Sequence, residues 1–302
     1  MDAVTAALSG LIDYAGLFPP AGLPLDVVAD QFGRYRAARH AWMLGRLVVP
    51  ADRLGDAEAA AHRAGASVDE PWRVSALVGT ADHSEAIAAA LVDGHHRPRT
   101  VRVEAVEAVA GSADDIARLG RIWPIEFERY VEIPADSDPA PLMAALSAAG
   151  LFAKIRAGGV TPDRFPSTAQ MARFLVRARD ASVPMKATAG LHHALRGDYR
   201  LTYEPESARA TMHGFLNLVL AATLLAAGKI DEELAEACLD EDRPEAFKLS
   251  GRAGSWLNGV VTYSELSHAR RSLLRSVGSC SFDEPVAEID ALDFGLKAVD
   301  GV

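Results

Sequence analysis

Cysteine is nearly absent from this chain: 302 residues hold two, Cys238 and Cys280. Two cannot build a disulfide framework or a zinc ligand set, so a reducing, cytoplasmic location is expected. An excess of positive charge is also missing. The formal net charge is −10, which argues against a nucleic-acid partner held by bulk charge. No basic segment opens the chain, where Asp2 stands, so no signal peptide is expected. Long apolar runs are lacking too. The longest, 214–228, contains Asn217 and reads as a buried helix rather than a membrane span. No Gly-x-Gly-x-x-Gly follows a strand-like run, which removes the usual support for a dinucleotide fold. His-x-His and His-Glu-x-x-His are absent as well. No cofactor is expected, and no metal in the favoured reading.

What is present is an alternating pattern. Hydrophobic residues make up 49% of the chain, ample for a core. Strand-like runs fall at 11–17, 46–49, 72–78, 100–104, 129–133, 152–156, 184–188 and 246–250. Helical segments lie between them, among them 25–39, 51–64, 83–92 and 211–227. Ser167-Thr168-Ala169-Gln170 has the form of a capping box ahead of 171–179; Thr262-Tyr263-Ser264-Glu265 opens an eighth helix expected to end near Gly278. Eight strands alternating with eight helices, without linker or composition shift, predict a single (β/α)8 barrel over 1–302. A long loop, 189–210, follows strand seven, and 279–302 is a C-terminal extension. A doubly wound open sheet is the alternative fold.

Within the strands, apolar residues alternate with charged or polar ones: Val101 and Val103 against Arg102 and Glu104, Ala153 and Ile155 against Lys154 and Arg156, Met185 and Ala187 against Lys186 and Thr188, Phe247 and Leu249 against Lys248 and Ser250. If the apolar face meets the helices, charge points into the barrel, where it is costly to bury. Active sites of such barrels lie at the C-terminal strand ends, where Glu104, Glu132, Lys154, Arg156, Lys186, Thr188 and Ser250 are expected. Lys154 and Lys186 on neighbouring strands repel each other and are partly desolvated. Both effects lower a lysine pKa and favour an amine nucleophile able to form a Schiff base. The bland alternative is that each lysine only salt-bridges Glu104 or Glu132.

These two lysine-bearing strands resemble those of deoxyribose-phosphate aldolase and related class I aldolases. The likeness rests on Lys154 and on Met185-Lys186-Ala187-Thr188-Ala189-Gly190-Leu191, about a fifth of the chain. It implies that Lys154 forms the Schiff base, that Lys186 lowers its pKa and that Glu104 transfers protons. The sequence departs from the family at Ile155-Arg156, where small and hydroxyl residues are usual, and at His192, where an arginine is usual. Its phosphate loop is only hinted at by Ser250-Gly251-Arg252-Ala253-Gly254-Ser255.

Other candidates surround that pair. His192, His193 and His213 are expected at the same rim, as acid/base or substrate-binding groups. Asp13 and Tyr14 end strand one. Arg156 and Arg252 are candidate anion clamps. Loop 189–210, with Tyr199, Arg200 and Tyr203, reads as a lid. His95 and His96 read as surface, Cys280 as structural and away from the mouth, Trp42 and Trp256 as packing. The favoured reading is an intracellular lyase of aldolase type, acting on a small anionic carbonyl compound through a lysine imine; a homo-oligomer is compatible with it. Two alternatives stay open: a divalent-metal hydrolase or isomerase using Glu132, His192 and His213, and a catalytically silent barrel that binds a metabolite or partner.

Overall fold

The computed structural model describes residues 2–95 and 99–292, without side chains for 93–95. His96 and the final residues of the extension lie outside that range. After helix α1 (Ala3–Leu8) the chain runs β1 (Ile12–Tyr14), α2 (Leu25–Arg36), β2 (Leu44–Pro50), α3 (Leu54–Arg63), β3 (Trp72–Gly79), α4 (Ala81–His95), β4 (Val101–Val109), α5 (Ala113–Ile122), β5 (Glu128–Glu132), α6 (Ala140–Ala149), β6 (Phe152–Arg156), α7 (Thr168–Asp180) and β7 (Met185–Thr188). A hairpin, β8 (Gly197–Arg200) with β9 (Arg209–Met212), precedes α8 (Phe215–Ala226) and α9 (Glu232–Asp240). Then come β10 (Phe247–Leu249), β11 (Ala253–Trp256), β12 (Gly259–Thr262), α10 (Tyr263–Ser272), β13 (Leu274–Ser279) and α11 (Asp283–Ala291). Eight parallel strands close into a barrel in the order β1-β13-β7-β6-β5-β4-β3-β2. The chain is a (β/α)8 barrel, as its periodicity predicts.

The eighth barrel strand is not the one expected. It is β13, drawn from residues assigned to the end of the eighth helix. The run 246–250 instead forms β10, the edge of a three-stranded antiparallel sheet outside the barrel. The physical reason lies in burial. A strand covered on both faces loses its apolar–polar alternation, and β13, Leu-Arg-Ser-Val-Gly-Ser, is buried or half-buried throughout. The clean alternation of Phe247-Lys248-Leu249 is that of a sheet with one wet face; Lys248 is exposed. Ser250 and Arg252 therefore sit in an exposed turn beside α1, where the Gly251 carbonyl accepts from Ala3 N–H.

Strand β4 also differs. It continues to Val109, and its pairing with β3 shifts between Val103 and Ala105. The irregularity changes which residues face inward, as an extra residue in a strand does. Glu107, not Glu104, is the buried acid of this strand. Loop 189–210 is largely the β8–β9 hairpin, with Ala189 and Gly190 turning the chain out of β7 at positive φ. Among the described residues no helix is long and apolar enough to cross a membrane.

Helix α7 connects the two lysine strands, β6 and β7. Its capping box is complete: Ser167 Oγ accepts from Gln170 N–H, and Gln170 Oε1 accepts from Ser167 N–H. Ser167→Ala should lower stability by about 1 kcal/mol, read as a shift of the urea midpoint at unchanged slope.

Candidate functional site

Register places the charged residues side by side. Lys154 pairs with Lys186 across β6 and β7, and with Glu132 across β5 and β6. Asp13 enters from β1 and Glu107 from β4. Their contacts form one chain of alternating charge. Lys186 Nζ lies 2.6 Å from Asp13 Oδ2 and 2.7 Å from Glu107 Oε1. Lys154 Nζ lies 2.8 Å from Glu107 Oε2 and 3.1 Å from Glu132 Oε2. Arg156 Nε closes the series, 3.1 Å from Glu132 Oε1. Hydroxyls satisfy remaining lone pairs: Ser276 donates to Asp13 Oδ2 at 2.8 Å and Ser75 to Glu107 Oε1 at 2.6 Å. Beneath Lys186 lies the Tyr130 ring, its centroid 5.2 Å from Nζ.

The electrostatics follow from these partners. Burial pulls the Lys186 pKa down, but Asp13 and Glu107 outweigh it and hold it above the free-lysine value. Burial would raise the Glu107 carboxyl, yet Lys154 and Lys186 hold it far below the usual range. Glu132 is likewise held low, by Lys154 and Arg156 acting against burial. Expected mutual repulsion between the lysines is answered by the carboxylate between them. Lys186 is thus maintained as an ammonium.

The two lysines are not equivalent. A cavity of about 410 Å³ opens at the C-terminal mouth. Lys154 and Glu107 reach its floor, while Lys186 is fully buried and does not line it. Arg156, Arg164, Thr188, His192 and Cys280 form part of its wall. His192 Nδ1 pairs with Ser279 Oγ at 2.9 Å, with Cys280 Sγ 3.6 Å away. Burial, then the neighbouring His193, lowers the His192 pKa to about 4, so its imidazole is neutral at pH 7. Cys280, read from sequence as remote, stands at the mouth because β13 ends one residue before it.

Several expected members lie elsewhere. Glu104 is near the N-terminal end of the barrel, bonded to Arg46, Arg73 and Arg102 at 3.2, 2.8 and 2.8 Å. Ser250 and Arg252 are outside the barrel altogether. His213 turns away, its Nε2 2.7 Å from the Pro166 carbonyl. His193 pairs with Glu288 and stacks on Tyr199 of the hairpin, ring centroids 3.4 Å apart. Tyr203, in the hairpin turn, bonds Glu284 and Cys280. Among the described residues no group of three His, Cys, Asp or Glu is placed to hold a metal. The set Glu132, His192 and His213 is not assembled.

Sequence reasoning missed Glu107, Ser75, Ser276 and Gly45. Glu107 was within reach, because 101–109 carries no Gly or Pro to end the strand at Glu104. Gly45 leaves room for Asp13: a Cβ there would lie 2.3 Å from Asp13 Oδ1 and 3.1 Å from the Ile12 carbonyl. That same Oδ1 accepts from Arg46 N–H at 2.8 Å.

Fold and site together define a (β/α)8 barrel with a buried, ion-paired lysine couple under its C-terminal mouth. No family model and no curated protein matches the chain. Among solved structures, the nitroalkane oxidase of Streptomyces ansochromogenes is similar at 16% identity, over 63% of this chain and 62% of that chain, with a TM-score of 0.33. The match spans less than two thirds of that protein, and likeness of this degree carries no argument about activity.

Two outcomes are expected here. Gly45→Ala should displace the Asp13 carboxylate and lower stability by roughly 1–3 kcal/mol, checked by thermal unfolding against Gly55→Ala, where no atom lies within 4 Å of the new methyl. His192 gives the pH dependence. Its pKa is about 4 folded and near 6.5 unfolded, so between those values the unfolded chain binds more protons. Stability should therefore fall as pH drops from about 6.5 to 4, by on the order of 3 kcal/mol, and His192→Gln should flatten that slope. Below about 4.5 the depressed carboxyls of Glu107 and Glu132 add further acid loss in both proteins.

Proposed function

We propose that the protein is a lyase of the class I aldolase type, acting on a small anionic carbonyl compound through an imine at Lys154. The observation that carries this reading is the position of Lys154: a buried lysine nitrogen at the floor of an open cavity, between two carboxylates. An ammonium and an iminium carry the same charge. The Glu107 and Glu132 oxygens that stabilise the resting lysine would stabilise the protonated imine in the same place, without reorganisation.

The steps balance as follows. Lys154 loses a proton to water in the open cavity, and the free amine attacks the substrate carbonyl beside the Glu107 and Glu132 carboxylates. The carbinolamine takes up a proton from water and expels its hydroxyl as water. With a hydroxyl on the β carbon, transfer of its proton to water in the cavity lets the Cα–Cβ bond break. The electron pair moves into the iminium to give an enamine, and an aldehyde leaves. Protonation of the enamine and hydrolysis of the iminium release the second product. Lys186 and Asp13 do not face the cavity; they are positioning residues that hold Glu107 ionised and oriented. Arg156 and Arg164 at the wall offer guanidinium donors to a substrate carboxylate or phosphate.

Borohydride reduction of the protein with a panel of small aldehydes and oxo acids should trap a covalent adduct, seen by intact-protein mass spectrometry and mapped to Lys154. Lys154→Arg keeps the charge but has no amine suited to an imine, and should give no adduct. Arg156→Gln should raise the concentration of an anionic carbonyl needed for half-maximal trapping by about tenfold. An adduct that persists in Lys154→Arg, or none with any carbonyl tried, overturns the reading.

A further inference from the structure

A second cavity, of about 370 Å³, opens at the N-terminal end of the barrel, away from the lysines. Five arginines line it, Arg46, Arg73, Arg270, Arg271 and Arg275, against one acidic residue, Glu128. In a chain of net charge −10 the sign is inverted locally. The surrounding carboxylates do not neutralise it. Glu104 is shared among Arg46, Arg73 and Arg102, and Glu128 between Arg46 and Arg275.

The remaining two arginines have no carboxylate in contact among the described residues. Arg270 is held by carbonyls: Nη1 donates to Ala7 O at 2.7 Å, Nη2 to Arg275 O at 2.6 Å and Nε to Leu274 O at 3.0 Å. Burial, with Arg275 beside it, lowers its pKa to about 10. Arg271 is exposed at the rim. Thr5, Ser9 and Ser267 add hydroxyls to the wall.

We propose that this cavity binds a small, multiply charged oxyanion of the pyrophosphate or phosphate-ester class, with Arg73, Arg271 and Arg275 as donors and the Arg270 charge behind them. Guanidinium forks match the oxygens of a phosphoryl group two at a time. A pocket of this size admits a metabolite. The acidic surface elsewhere repels a long polyanion such as a nucleic acid. The site is separate from the mouth and does not depend on imine chemistry there.

Inorganic pyrophosphate is the probe, titrated calorimetrically at low salt into the full chain. Three proteins are compared: the unaltered protein, the base variant Arg73→Gln/Arg271→Gln and the mouth variant Arg156→Gln/Arg164→Gln. The side chains of Arg73, Arg156 and Arg164 are about half or more exposed and Arg271 is exposed, so each variant should keep the far-ultraviolet circular dichroism of the parent. At least one saturable site is expected in the unaltered protein, and the tightest is weakened about tenfold or more in the base variant and kept in the mouth variant, whatever weaker binding the mouth adds. Absence of saturable binding, equal binding by the base variant, or loss confined to the mouth variant overturns the proposal.

Discussion

One unbroken line of alternating charge organises this barrel: Asp13, Lys186, Glu107, Lys154, Glu132, Arg156. It runs from a buried carboxylate to a half-exposed guanidinium, with every contact between 2.6 and 3.1 Å. Buried ion pairs are poor stabilisers, because desolvation consumes most of the Coulombic gain, and apolar residues of similar volume often do as well. A barrel lumen filled with Val, Ile and Leu would satisfy the fold. Retention of this chain beneath a cavity is the arrangement expected where shifted pKa values serve chemistry. Its length also matters. Removal of an inner member would leave buried charges uncompensated on both sides, so the interior pairs hold one another in place.

The two ends of the barrel are electrically different. At the C-terminal mouth each lysine has two carboxylates, and the charge closes on itself. At the N-terminal end arginines outnumber acids. A column of contacts joins them: Arg46 pairs with Glu128, Tyr130 donates to Glu128 at 2.6 Å, and the Tyr130 ring lies beneath Lys186. Arg46 also donates its backbone N–H to Asp13. The same strands thus carry both ends, with aromatic and hydroxyl groups as the layer between.

The alternation of strand-like and helix-like segments is local information, and it sufficed for the barrel. Both lysines, Glu132, Arg156 and Asp13 could be read because each lies on a strand whose end is marked by Gly, Pro or small residues. Glu104 and Ser250 were misplaced for two distinct reasons. In β4 the pairing irregularity near Glu104 is a property of two strands together, so a single strand's period does not reveal it. At 246–250, alternation flagged a half-exposed strand, whereas the barrel strand at 274–279 is covered on both faces and shows little pattern.

The sequence by itself determined the alternation that makes a barrel, its first seven strands, and that Lys154, Lys186 and Glu132 carry charge into the interior, because helical and strand periods are set by the chain's own geometry. Tertiary structure alone decided which charges meet. Asp13 and Lys186 are 173 residues apart and Glu107 and Lys186 are 79 apart; only closure of the barrel, with its register and shear, brings them within hydrogen-bond distance. It also decided that Lys154 faces the cavity while Lys186 does not, since depth along a strand depends on how neighbouring strands are staggered.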